Sequence, residues 1–491
     1  MFLGTWLVAS GGCNCLIDAD KYRGGPSGDG GSTIDGADNV DGTAPPDGLI
    51  ESDAGPLEPT SAHEGEGSGT GAPPVVIVLR GEFEAGSTAT VVRSGDDTDL
   101  VAGPVVLATD RSMLAIPIRI PVYDDLDETE MANLAISVNG TLAANFEVDG
   151  LLEADLSGSV DTTTLRPLYS SITVSGAVAF TGASPAILRS TSDITVDGNL
   201  VADGKQGGAA GPGGCTGGPA GTAGGCDTFG GTGGATQAVG TGGGGGGHAQ
   251  TGNPGGGGAT GGARSGNDML TPLTGEGGNG GGGGGDGLAE LAVGGPGGGG
   301  GGIIEVTAEG TVSVTAVVNV GGGDGTNGGV AVSCGVAAGG SGGGGSGGAI
   351  LVRANALDAT GSLDGTRGLG ATQCTDGGNG SPGRIRVDVG SEELPVLDAD
   401  PVPVRGPHWA DDTPFIVRDA DFTATMYAEP SRTFAANIDG SEPENVPING
   451  SGVGSYTVML EPGHNRICAI ASTTNLTLPE AVRCMDVTFV P

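Results

Sequence analysis

The 491-residue chain holds 105 glycines, only 3% aromatic residues, and 19 Lys+Arg against 58 Asp+Glu, for a formal net charge of −39. So acidic a surface repels phosphate backbones, which excludes nucleic acid as a partner and favours solubility and loose cation binding. The glycines fall in runs with no strict period of three and with too little proline, which excludes collagen, and the length leaves room for about two to four domains.

The chain opens with "MFLGTWLVASGGCNC", a short apolar run ending in small residues immediately before Cys13. It is too short to span a bilayer and ends like a processing site. Residues 1–15 resemble a bacterial lipoprotein signal peptide. The resemblance implies that Cys13 is acylated and becomes the new N-terminus, with Cys15 as the alternative. It further implies export, a lipid anchor in a membrane, and a place in the cell envelope, at the bacterial outer membrane or cell surface.

Residues 16–73, beginning "LIDADKYRGGPSGDGGSTIDG", are rich in Gly, Asp, Pro and Ser, with too few apolar residues to offset the entropy of ordering. They are expected to form a disordered acidic tether. The "DGADNVDG" within it lacks the spacing and closing Glu of a calcium loop.

Residues 74–150 change character. "VVIVLRGEF", "TATVVRS", "MLAIPIRIPVY", "NLAISVNGTL" and "NFEVDGL" are strand-length runs separated by Gly, Asp and Asn turn signals. They predict a small β-sandwich that resembles the Ig-like modules of bacterial surface proteins.

The centre of the chain repeats itself. "AILRSTSDITVDGNLVADGKQGG" from Ala186, "GIIEVTAEGTVSVTAVVNVGGGDG" from Gly302 and "AILVRANALDATGSLDGTRG" from Ala349 each hold three strand-like pieces and then enter glycine. "SSITVSGAVAFTG" before them and "GRIRVDVG" after them read as incomplete first and last copies. One unit cannot bury its own apolar face, so recurrence predicts stacking. Alternation within "ILVRA" and "TVSVTA" predicts strands with one face inward. Residues 168–391 thus predict a glycine-rich parallel β-helix, and their grammar resembles that of glycine-rich β-helical proteins exported by predatory and soil bacteria. The glycine excursions, 204–301, 321–348 and 365–383, all leave after a third strand and return before a first one. They either stay mobile or pack as extended glycine helices that exchange hydrogen bonds, and partial order is expected for the longest.

Residues 392–413, "EELPVLDADPVPVRGPHWADDT", read as a Pro- and acid-rich linker. Residues 414–491 return to alternating runs such as "SYTVMLEPGHNRICAIA", which predict a second β-sandwich resembling the Ig-like modules appended to bacterial surface proteins and glycosidases. The fold class expected for the chain is therefore all-β, a parallel β-helix between two small sandwiches.

Beyond Cys13 and Cys15, the cysteines fall into local pairs, Cys215 with Cys226, Cys334 with Cys374 and Cys468 with Cys484. None has close Cys-x-x-Cys spacing, so disulfides made in an oxidising compartment are expected, with connectivity left open. The histidines, His63, His248, His408 and His464, fall in tether, glycine loop, linker and turn, and read as exposed spacer positions with no metal pair among them. Ser341 and Ser346 sit in "GGSGG" contexts that fit a nucleophile elbow, but no strand-to-helix turn accompanies them. Gly198 to Lys205 is one residue too long for a phosphate loop, and Gln206 stands where Ser or Thr belongs. "GGGGGDGL", ending at Leu288, has no tandem copies to complete a calcium repeat.

Parallel β-helices also host polysaccharide lyases and glycosidases, whose sites need clustered carboxylates and basic residues on one face. The candidates here are Asp193, Asp197, Asp203, Glu305, Glu309, Arg353, Asp358, Asp364, Arg384, Arg386 and Asp388. They are scattered, and aromatic platforms for sugars are nearly absent. The expected function is a structural or adhesive display role at the cell surface, non-catalytic, without cofactor or metal. The expected partners are the membrane, and a surface polysaccharide or another cell-surface protein. A polysaccharide-degrading enzyme is the alternative.

Overall fold

The computed structural model describes residues 75–93, 99–118, 131–149, 152–288, 292–472 and 478–491. The signal-like segment with Cys13 and Cys15, and the tether of residues 16–73, lie outside the described residues. The protein is all-β. Among the described residues the helical turns are three short 3-10 turns, Thr162–Thr164, Asp227–Phe229 and Pro479–Ala481.

The recurring triplets pair with one another in two all-parallel sheets. Their first strands, Ala186–Ser190, Ile303–Ala308 and Ala349–Ala354, join Arg384–Val389 in one sheet. Their second and third strands join a second sheet built outward from the long strand Ile172–Thr181. Register follows the sequence repeat. Leu188, Val306, Val352 and Val387 stand in line across the first sheet. Ile172, Ile194, Val312 and Leu357 stand in line across the second, as do Val178, Leu200, Val318 and Leu363. All but Leu357 are buried, and these inward residues form one continuous apolar cluster shared by both sheets. Each fully buried aliphatic side chain contributes about 1.5–3 kcal/mol, so the alternating pattern is also the main source of cohesion. Parallel strands need long connections, which are usually helices. Here glycine excursions take that place.

Two segments left out of the repeat belong to it. Ala154–Asp161 lies parallel to Ile172–Thr181, with a register shift at Gly158 that hides its alternation. Residues 392–413 are more than a linker. Asp398–Asp400 pairs with Ser362–Asp364, and Val404–Arg405 pairs with Arg384–Val389, so this stretch caps both parallel sheets. Pro401 and Pro403 lack an N–H, which confines pairing to short pieces at the sheet edge, where proline is tolerated.

On the N-terminal side, Val75–Arg80, Met113–Ile118 and Val106–Leu107 form one antiparallel sheet, and Ala89–Arg93, Met131–Val138 and Thr141–Asp149 another. Ile77, Leu79, Val91, Leu114, Ile116, Leu134 and Ile136 pack between them. On the C-terminal side, His408–Trp409, Asp421–Tyr427 and Val453–Met459 face a five-stranded sheet that includes Gly463–Ile470 and Val482–Phe489. Trp409, Phe422, Phe434, Tyr456 and Met485 fill that core. The two regions touch: Val490 packs against Val76, Val78, Met113 and Ala115, and the Thr109 amide donates to the Pro491 carbonyl at 2.7 Å.

The glycine excursions are ordered far beyond the partial order expected of the longest. The amides of Gly240, Gly243 and Gly246 donate to the carbonyls of Ala338, Ser341 and Gly344 at 2.8–2.9 Å. Those of Gly244 and Gly247 donate to Thr232 and Phe229, and those of Gly242 and Gly245 to Gly256 and Asn253, at the same distances. Every third residue therefore faces the same neighbouring segment. The run 340–348 behaves alike. Gly340, Gly343 and Ser346 donate to Gly285, Gly282 and Asn279; Ser341, Gly344 and Gly347 to Thr375, Gly378 and Ser381; Gly342, Gly345 and Gly348 to Thr326, Gly323 and Val320. Three residues per turn with no internal hydrogen bonds is the geometry of an extended polyproline-II-type helix. The excursions form a lattice of such rods, each bonded to several others.

Glycine is required there for space. A Cβ on Gly243 would meet the Gly282 carbonyl oxygen at 2.0 Å, and one on Gly284 would meet the Gly340 oxygen at 2.0 Å. An oxygen so placed is one to which the glycine's own Cα–H points, so the rods add weak Cα–H···O contacts, each worth about 0.5–1 kcal/mol. Those contacts and the amide bonds offset an ordering entropy of about 1–2 kcal/mol per residue that no side chain is present to offset.

Candidate functional site

The outward face of the first parallel sheet collects the charged candidates. Arg189, Thr307, Arg353 and Asp388 stand in one line across the strands, and Glu305, Leu351 and Arg386 in the next. These positions alternate with the buried aliphatics, so they point away from the apolar core. They do not point to solvent. Residues 264–276 and the turn Pro479–Ala481 cover them, leaving Asp388 0% and Arg386 1% exposed.

Within this layer every charge has a partner. Arg386 grips Asp388 through two bonds of 2.8 and 2.6 Å, and Arg353 reaches the same carboxylate at 3.3 Å. Both arginines then donate to backbone carbonyls of the covering segments: Arg386 to Met269 and Glu480 at 2.6 and 2.8 Å, Arg353 to Pro479 and Glu480 at 2.7 and 3.0 Å. Arg189 grips Glu305 at 2.6 and 2.9 Å, and Thr307 donates to it at 3.0 Å. Burial alone would raise the Glu305 pKa, but the Arg189 charge and hydrogen bond hold it below its ordinary value. Arg384 meets Glu276 and Asp268 at 3.3 Å each and donates to the His248 carbonyl at 3.2 Å. Burial lowers Arg353 and Arg384 from the usual guanidinium value, against the pull of Asp388 and Glu276 respectively.

Next to it lies a second knot. Arg483 of the C-terminal region forms a two-bond pair with Glu309 at 2.7 Å and donates to His408 Nε2 at 3.1 Å. His408 Nδ1 lies 2.7 Å from the Trp409 carbonyl, so the ring is neutral with its proton on Nδ1. Burial, and then the Arg483 charge, hold its pKa well below the ordinary imidazole value.

Glu305, Glu309, Arg353, Arg384, Arg386 and Asp388 are thus gathered on one side of the first sheet, as a sealed and neutralised layer. The others are not gathered with them. Asp193 and Asp197 accept from Thr311 and Thr315 of the next copy of the repeat, and Asp364 from Thr366 two residues on; Asp203 pairs with Lys205; Asp358 is exposed. The exposed-spacer reading fails for His248 and His408, which are 0% and 2% exposed. His248 Nδ1 lies 2.8 Å from the Gly347 carbonyl at the foot of the rods. Its partners lie far away in sequence, so its glycine-rich neighbourhood gives no sign of them. His464 is half-buried beside Thr488, and His63 lies outside the described residues. Ser341 and Ser346 are buried in the lattice; Ser341 Oγ donates to the Gln373 carbonyl, and Ser346 Oγ accepts from the Asn279 amide. Asp286 of "GGGGGDGL" accepts from the Gly294 amide. Disulfides join Cys215 to Cys226, Cys334 to Cys374, and Cys468 to Cys484.

The exposed chemistry lies elsewhere, at the far end of the rods. Gly294–Gly302 and Gly339–Gly348 run from this end back to the first parallel sheet, a span of about 28–31 Å at ~3.1 Å per residue. There, bridges pair Gln237 with Gly287, Val239 with Ala338 and Val330 with Ala338, and the Gly329 amide donates to the Val293 carbonyl. Cys334–Cys374 ties two of these loops. Leu288, Val293, Val330, Val332 and Val336 project from them at 38–77% exposure. Apolar letters within a low-complexity stretch give no sequence signal that they share one place. Comparison with known protein families, curated proteins and solved structures finds no match to the chain.

Proposed function

We propose that the chain is an exported cell-envelope lipoprotein whose folded part is a non-catalytic display scaffold. On this reading the strand triplets are successive rungs of a parallel β-helix, the flanking pairs of sheets are Ig-like sandwiches, and Cys13 carries the lipid. In-register parallel pairing of the triplets and their shared apolar cluster support the rungs. Small residues before Cys13 and the paired cysteines elsewhere support export. The observation that carries the proposal is the glycine lattice. A bundle of hydrogen-bonded rods about 30 Å long is a stiff spacer, and its free end holds loops away from the body. A surface polysaccharide or another cell-surface protein is the partner such loops would meet.

The polysaccharide-degrading alternative is disfavoured by one feature: its candidate arginines, and the Glu305 and Asp388 gathered with them, are neutralised by ion pairs under the 264–276 and 479–481 segments. Mass spectrometry of the mature N-terminus tests the anchor. Diacylglyceryl on Cys13 is the expected result, and an intact Met1 on the cellular protein overturns it.

A further inference from the structure

The rod tips are built unlike the rest of the molecule. The loops 235–239, 330–338 and 369–375 contain no charged residue in a chain of net charge −39. Val330, Val332 and Val336 place three exposed aliphatic side chains on the second of these loops, and Leu288 and Val293 add two more from the adjoining fourth loop, 286–293, whose sequence carries Asp286 and Glu290. Isolated exposed aliphatics are ordinary on protein surfaces, whereas several on adjoining loops mark interaction sites. Carboxylates border them: Asp286, and just below, the exposed Asp324 and Asp376.

We propose that the rod tip is a protein-docking surface whose partner presents an apolar pocket bordered by Lys and Arg. The inference rests on the display reading for its setting and goes beyond it in naming the surface and the partner's chemistry. Charge selects the occupant. A second copy would bring the same acidic border, which like-charge repulsion disfavours. A bilayer surface is a poor match too, because interfacial membrane binders use basic and aromatic residues, and the four loops carry neither. The Cys334–Cys374 bond holds two of the loops before contact, which reduces the ordering entropy lost on binding.

The test uses the soluble chain without its anchor, so its outcome does not depend on whether Cys13 is lipidated. The probe is a synthetic helical peptide of Leu on one face and Lys on the other. Controls are a Lys/Ser peptide of equal charge and a Leu/Glu peptide. The Leu/Lys peptide should bind saturably, and Val332→Asp combined with Val336→Asp should weaken it about tenfold or more while leaving the thermal midpoint unchanged. Val332→Ser with Val336→Ser, which adds no charge, should weaken it in the same direction. Equal binding by the parent and both variants, equal binding of the Lys/Ser peptide, or preference for the Leu/Glu peptide would each overturn the proposal. So would tip-dependent self-association by light scattering, or tip-dependent binding to phosphatidylcholine vesicles in place of the peptide.

Discussion

Gly343→Ala probes the lattice at its centre. The added Cβ would sit 2.1 Å from the Gly244 carbonyl oxygen and 2.5 Å from its carbon, where real Cβ contacts essentially never fall below 3.0 Å. Relief needs the rods holding residues 240–246 and 338–344 to part by 0.9 Å or more, the difference between those two distances. No side chain lies between them to rotate away. The bonds from Gly240, Gly243 and Gly246 to Ala338, Ser341 and Gly344, now 2.8–2.9 Å, would stretch past useful range. Three bonds at a net ~1 kcal/mol each give about 3 kcal/mol. Residual strain adds about 1–3, and alanine's smaller unfolded-state entropy returns about 0.4–1. The expected destabilisation is about 3–5 kcal/mol, a large share of the ~5–15 kcal/mol typical of folded domains. Chemical denaturation reads the total, and hydrogen-exchange mass spectrometry of peptides spanning 240–247 and 339–348 reads the place. Gly335→Ala, with nothing within 4 Å of the new methyl group, is the control and should be neutral or slightly stabilising. If Gly343→Ala unfolds at the parent midpoint with parent protection in both peptides, the rods are not close-packed and the spacer argument falls.

The buried ionic layer and the second knot give two more predictions. Asp388→Ala leaves Arg353 and Arg386 without their shared carboxylate in a site with almost no solvent, which should cost about 3–5 kcal/mol. Limited proteolysis should then cut near residues 479–481 sooner than in the parent, because those arginines hold that turn; an unchanged cutting pattern and midpoint would show that the layer does not clamp it. His408 predicts the acid response. Its folded pKa is depressed, so once pH drops below about 6.5 the unfolded chain takes up a proton that the folded ring refuses. Stability should fall with pH by up to ~1.4 kcal/mol per unit from that single group, before the lowered Glu305 adds its own loss below its ordinary value of 4.5. Thermal midpoints across pH 7 to 5 should decline less steeply for His408→Asn, and parallel profiles would refute the assignment.

The parallel sheets were legible because their cause is written locally. Leu188, Val306, Val352 and Val387 recur at matching places in matching strands, and alternation marks them as inward. The outward neighbours Arg353, Arg386 and Asp388 obeyed the same alternation, but they read only as scattered candidates, since nothing local shows that residues near 270 and 480 fold over them. Histidines 248 and 408 misled for the same reason. Glycine order was legible only as one of two options. A rod of glycine is stabilised by its partners' carbonyls, and backbone groups are the same at every position, so composition alone does not distinguish a lattice from a tether. Ala154–Asp161 and Asp398–Asp400 escaped notice because a bend at Gly158 and the proline at 401 interrupt the alternation that announces a strand.

The threefold turn of the rods limits how such a chain can change in length. Because each neighbour receives every third amide, adding or removing three residues from a run carries all the contacts one step along and leaves each aimed where it was. One or two residues rotate everything beyond the change by a third or two thirds of a turn, and each donor then faces the wrong strand. Drift in these stretches should therefore proceed in triplets of amino acids, as though the polypeptide backbone kept a reading frame of its own.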